Sequence, residues 1–179
     1  WEYPPHVVGG LGKHVAEIAP PLARQGIELH LITPRWAGGE RVEQIDGVML
    51  YRVEPPIVTS GDFFTTAWQT NLGVQEKANE LFQKFGSFDL IHVHDWLMAF
   101  AGCALKRTFK VPLLSTIHAT ERGRNRGGLH NEMQYAINNV EWWLTYESWR
   151  VICCSHYMAQ EVRDYFNTPA DKIDVIPNG

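Results

Sequence analysis

Short apolar runs alternate along the chain with longer stretches whose apolar residues recur every three or four positions. Ile27–Thr33, Phe88–Val93, Val111–Ile117, Arg150–Cys154 and Ile173–Ile176 have the length of strands. Between them the spacing predicts helices over Leu72–Phe85, Trp96–Lys106, Leu129–Trp149 and Tyr157–Phe166, the last with Ser155 as N-cap. In the longest, Leu129, Met133, Ile137, Val140 and Leu144 step by four, four, three and four. Near the N-terminus Leu11, Val15, Ile18 and Leu22 step by four, three and four, so a helix leaves a glycine-rich turn; Pro20-Pro21 is expected to bend or end it early. Val42–Ile45 and Val48–Val53 flank Asp46-Gly47, which favours a two-residue hairpin turn.

Strands alternating with helices imply β-α-β units, right-handed crossovers and helices on both faces of a sheet. The expected fold is α/β, a doubly wound and mostly parallel Rossmann-like sheet over residues 1–179 as one domain. Ligands then belong beyond the carboxyl ends of the strands. The chain opens on the loop-like Trp1-Glu2-Tyr3-Pro4-Pro5, where a first strand is expected, and closes on Ile176-Pro177-Asn178-Gly179, a strand and a turn. A truncated first strand and an absent following domain are therefore the expectation.

Composition narrows the partners. Hydrophobic residues make up 45% and charged residues 20%, an ordinary globular balance. Sixteen basic against twenty acidic residues give a net charge of −4, without the basic footprint of a nucleic-acid binder. The apolar runs fall short of the ~20 residues of a membrane helix, and no secretory signal pattern opens the chain. Cys103, Cys153 and Cys154 are odd in number and sit in apolar surroundings, so buried reduced thiols and a cytoplasmic location are expected.

Polar residues gather where strands end. In Val8-Gly9-Gly10-Leu11-Gly12-Lys13-His14, glycines at a helix start let a ligand approach free N–H groups, and the helix dipole favours phosphate. A tight turn without a ligand is the plainer alternative; the pattern is neither G-x-G-x-x-G nor a Walker loop, which weighs against a nicotinamide oxidoreductase. His92-Val93-His94-Asp95-Trp96 closes one strand; a histidine pair two apart shares a face, but no third ligand has fitting spacing, so no metal site is expected. His94 or Asp95 is expected to shape the loop or cap the next helix, and Trp96 to pack against the cleft wall. His118-Ala119-Thr120-Glu121-Arg122-Gly123-Arg124 follows another strand. His118 suits hydrogen bonding or proton transfer, and Glu121, Arg122 and Arg124 suit a polar or anionic substrate, or simply a solvated loop. Trp142, Trp143, Tyr146 and Trp149 are expected to be core or interdomain packing rather than a sugar-stacking platform.

Taken in order, Glu2-Tyr3-Pro4-Pro5, Gly9-Gly10-Leu11-Gly12, His92-Val93-His94-Asp95-Trp96, Ser115-Thr116-Ile117-His118, Val151-Ile152-Cys153-Cys154-Ser155 and Val175-Ile176-Pro177-Asn178-Gly179 resemble the retaining glycosyltransferases of the glycogen synthase and sucrose-phosphate synthase superfamily, the family 4-like, group 1 enzymes. The resemblance implies a GT-B enzyme of two Rossmann-like domains facing a cleft. This chain would be the N-terminal, acceptor-side domain, inactive without the C-terminal domain of the same protein. Gly9, Gly10 and Leu11 match the turn that reaches the donor's diphosphate, and His118 matches the histidine facing the transferred sugar. Asp95, Trp96, Glu121, Arg122 and Arg124 are expected on the acceptor side. A nucleotide-sugar donor and a hydroxyl acceptor are the implied partners, with no metal or other cofactor. Val7 stands where glycogen synthases carry Lys, and Glu121-Arg122-Gly123-Arg124 departs from their loop. The alternative is a non-catalytic nucleotide- or sugar-binding Rossmann-like module.

Overall fold

The computed structural model describes residues 1–36, 38–55 and 61–178. Helix α1 (Gly10–Arg24) is followed by strand β1 (His30–Pro34) and the strands β2 (Val42–Ile45) and β3 (Val48–Val53). Helix α2 (Phe63–Phe85) leads to β4 (Ile91–His94), α3 (Ala99–Phe109) and β5 (Leu113–Ile117). The short α4 (Glu121–Arg124), α5 (Glu132–Glu147), β6 (Arg150–Cys153), α6 (His156–Phe166) and β7 (Ile173–Val175) complete the order.

The strands form two sheets rather than one. One has the order β1-β3-β2, parallel between β1 and β3 and antiparallel within the hairpin; the other is β4-β5-β6-β7, parallel throughout. Helix α2 packs on β1 and β3 and also against α3 and α5, so it joins the two sheets. The buried core runs from Val53 and Ala67 through Val93, Leu113, Ile117, Leu144 and Val151 to Val162 and Phe166.

Most helices differ from the periodicity at their ends, for local reasons. Helix α1 carries Pro20 and Pro21 inside it and continues to Arg24, against the expected early end. Each proline removes one N–H, yet both stay within the helix, and the residues four back, Ala16 and Glu17, are half-buried and exposed. The N–H of Ile27 then bonds the Leu22 carbonyl at 3.3 Å, and β1 begins three residues later than the apolar run. Helix α2 starts well before Leu72 because Asp62 caps it, its Oδ1 accepting from the Thr65 N–H at 2.8 Å. The residues after Asp95 first make a single 3₁₀ turn (Trp96–Met98) before α3 begins. Asn131 caps α5, so Leu129 lies outside it. The hairpin has the expected bounds, with Asp46 and Gly47 at φ 50° and 85°.

In the aromatic cluster of α5, Trp143 packs against the core, whereas Trp142, Tyr146 and Trp149 do not join it. Ile137, Val140, Glu141 and Leu144 form the buried face. Trp142 and Tyr146, one turn apart, therefore point outward, and Trp149 beyond the helix is 64% exposed. Cys103 and Cys153 are buried as expected, and burial pushes both thiols up to about 12.

Candidate active site

Parallel pairing of β4, β5, β6 and β7 brings their carboxyl ends to one edge. His94 and Asp95, then His118 and Ala119, then Cys154, and finally Asn178 follow those four strands. The glycine-rich start of α1 faces this edge. Asp95, His118, Ala119, Cys154 and Asn178 line a pocket of about 440 Å³ together with Glu2, Gly9, Gly10, Leu11 and Arg124.

The turn before α1 is held by an acid. Glu2 Oε2 accepts from the N–H groups of Val8 and Gly9 at 2.9 and 3.0 Å. Gly12 permits this, since a Cβ there would lie 2.7 Å from both Glu2 Cβ and Oε2. Gly9 and Gly10 are different. Gly9 has an extended backbone that any residue adopts, and a Cβ on either glycine would meet nothing within 4 Å. Neither close packing nor, at Gly9, backbone angle calls for glycine, and the bare turn leaves space in front of a helix N-terminus. The Gly9 N–H is engaged by Glu2, so the amides of Gly10 and Leu11 are those left to face the pocket.

Asp95 is the anchor between two strand ends. It is 4% exposed, has φ 54° and ψ −178°, and its Oδ1 accepts from the His118 N–H at 2.7 Å. That backbone region costs a non-glycine residue ~1–3 kcal/mol, which the bonds on both sides of Asp95 offset. Its own N–H bonds the Thr116 carbonyl at 2.9 Å. Burial raises the Asp95 carboxyl to about 6, against the pull of the His118 N–H and the Arg124 charge.

Four histidines meet here. His94 Nδ1 and His118 Nε2 share a hydrogen bond at 3.1 Å, and His92 Nε2 is 2.8 Å from Thr116 Oγ1. His14, one turn into α1, stands edge-on to His118 with ring centroids 4.7 Å apart. Burial, reinforced by the neighbouring imidazoles, lowers His92 and His118 to about 4 and His94 well below its usual value. At neutral pH these three are uncharged hydrogen-bonding groups. Of the pocket-lining side chains, only Arg124 is a fixed cation; it lies 3.7 Å from Asp95 and 3.9 Å from Glu141. Glu141 is buried, accepts from the Glu121 N–H with both oxygens, and is raised by burial to about 8.

The expected residues thus divide. Gly9, Gly10, Leu11, Asp95, His118 and Arg124 are brought together in the pocket. Trp96 is not: it is 2% exposed and packed between Phe63 and Phe64, a core residue. Arg122 turns away to Asn138 Oδ1 and the Gly127 carbonyl, over the Tyr165 ring. Glu121 holds Asn125 and Arg124 through its carboxylate and does not line the pocket. The sequence motifs contained Glu2 and Cys154 without a role; Cys154 Sγ is 3.7 Å from His118 Nδ1. His14 carried no signal of its own, because its place depends on how α1 docks. Among the described residues, His14, His94 and His118 offer ligand atoms within 4.8 Å of one another. Gly179 of the last motif lies outside the described residues.

Comparison with known proteins defines the class. The Glycosyltransferase Family 4 model matches residues 8–179, and the chain belongs to that family. It is 41% identical over 184 residues to an uncharacterized glycosyltransferase of Methanocaldococcus jannaschii, covering all of this chain and 44% of that protein. It is 34% identical over 193 residues to a glycogen synthase of Mycobacterium tuberculosis, covering all of this chain and 46% of that one. The chain thus spans less than half the length of these curated relatives. A sucrose-phosphate synthase structure from Thermosynechococcus elongatus superposes with a TM-score of 0.78 at 20% identity, over 96% of this chain and 43% of that one. The fold is therefore that of a Rossmann-like half of a GT-B enzyme. No described helix is long and apolar enough to cross a membrane.

Proposed function

We propose that the chain is the N-terminal, acceptor-side domain of a retaining glycosyltransferase that moves a sugar from a nucleotide-sugar donor to a hydroxyl acceptor. The observation that carries this reading is the bare Gly9-Gly10 turn opposite His118, across a pocket at the carboxyl edge of the parallel sheet. A diphosphate at that turn meets the Gly10 and Leu11 amides and the positive end of α1. Charge developing on the leaving group is stabilised there by donors already in position. His118 is neutral, so its part is to hold a sugar hydroxyl rather than to bind the anion. Its Nε2 is engaged by His94, which leaves Nδ1, with only a thiol at 3.7 Å, as the nitrogen for the substrate. Arg124 and Asp95 supply the polar wall on the acceptor side. The other half of the donor site belongs to a second domain, as the length of the relatives suggests. No metal is assigned to the transfer step, and the cytoplasm is the proposed location.

The test is transfer and donor hydrolysis with UDP-, ADP- and GDP-sugars, run side by side on this chain and on the enzyme as its gene encodes it. Activity with one donor in the enzyme and none in the chain supports the reading. No donor binding to either protein overturns it and favours a non-catalytic binding module.

A further inference from the structure

His14, His94 and His118 reach the same point from three separate elements: the second turn of α1, the end of β4 and the residue after β5. His94 Nδ1 and His118 Nε2 are 3.1 Å apart, and a ring nitrogen of His14 completes a set within 4.8 Å. Two imidazoles on one tetrahedral ion at 2.0–2.1 Å stand about 3.3 Å apart. The His94–His118 spacing thus already matches an ion-bridged pair, and only His14 has to close in. The His14 ring already packs against the rings of His94 and His118, with centroids 5.5 and 4.7 Å away. Cys154 is set apart from the three, because it faces Nδ1 on the opposite side of the His118 ring.

The donor set is chemically selective. Three imidazoles without a carboxylate suit a borderline divalent ion such as zinc and are poor ligands for magnesium or calcium, which prefer oxygen. Three protein ligands also leave one tetrahedral position open. We infer that His14, His94 and His118 form a binding site for a zinc-class divalent cation. The ion replaces the His94–His118 hydrogen bond and clamps the glycine-rich start of α1 to the ends of β4 and β5. The site stands on the histidine geometry and does not depend on the transfer reaction.

Calorimetry with zinc chloride alone, on the full chain, tests it. One zinc per chain is expected, with at least tenfold weaker binding in both His14→Asn and His94→Asn and none of that loss in the control His156→Ala. His14 is half-buried on a helix surface, so its variant keeps the fold. Cobalt is the second measurement: an intense visible absorption band, lost in His14→Asn, marks a tetrahedral nitrogen site. Unchanged zinc affinity in His14→Asn, an equal loss in His156→Ala, or the weak spectrum of a hydrated octahedral cobalt each overturns the inference.

Discussion

The two sheets bury polar groups in opposite ways. In β1-β3-β2 the hairpin sends neighbouring strand ends in opposite directions, so no edge collects them. Its buried charge, Arg52, is fully committed to the Glu43 carboxylate and to the carbonyls of Glu40 and Pro4. In β4-β5-β6-β7 every strand ends on the same edge, and the polar residues there are held by backbone bonds or by one another. Their histidines lose their charge through burial instead of being paired with acids. One region commits its buried polarity to internal pairing; the other leaves Asp95, His118 and Arg124 lining the pocket.

Breaking Arg52 tests this contrast most strongly. Arg52→Ala leaves the part-exposed Glu43 carboxylate and the Glu40 and Pro4 carbonyls without their partner and is expected to cost ~1–3 kcal/mol of unfolding free energy, read by urea titration, with the donor KM unchanged. His118→Ala is expected to do the reverse. In the enzyme as its gene encodes it, kcat falls by about 10²-fold, while the unfolding midpoint hardly moves. Unchanged turnover in that variant removes His118 from the reaction.

Acidity separates the regions next. The fold keeps His118 neutral down to about pH 4, whereas the unfolded chain takes up that proton near 6.5. Stability is therefore lost as pH falls from 6.5 towards 4. Glu141 works with the opposite sign. The fold holds its proton up to about pH 8, while the unfolded carboxyl releases it near 4.5, so stability falls as pH rises through that window. Urea unfolding of Glu141→Gln should lose the alkaline slope and keep the acid one.

The smallest effects come from the glycines. Gly12→Ala drives a Cβ against Glu2 and should cost ~1 kcal/mol by loosening the turn. Gly10→Ala enters open space at the first position of α1, outside the helix interior, and should leave stability unchanged. Thermal unfolding of the two variants, with a lowered midpoint in Gly12→Ala alone, checks the pair.

The parts of this fold that depend on neighbours in sequence were readable from it. Asp46-Gly47 carries its own turn, and Ser155 caps α6, its Oγ accepting from the Met158 N–H. His118 was readable because a polar residue follows an apolar strand. What depended on docking was not. Phe63 and Phe64, in the first turn that Asp62 caps, pack on Trp96, a contact with no helical period. The same packing takes Trp96 away from the pocket. Arg122 is captured by Asn138 of α5, and His14 reaches the site only because α1 lies against the ends of β4 and β5. Pro20-Pro21 lies within α1, so the proline pair does not mark the end of that helix.

Donor affinity in Gly10→Val, measured by calorimetry with UDP-, ADP- and GDP-sugars on the enzyme as its gene encodes it, bears most directly on the glycine turn as the diphosphate site. One donor should bind the unaltered enzyme and bind the variant at least tenfold more weakly, with the unfolding midpoint unchanged. Equal affinity in the two proteins would contradict a diphosphate seated at Gly9-Gly10-Leu11.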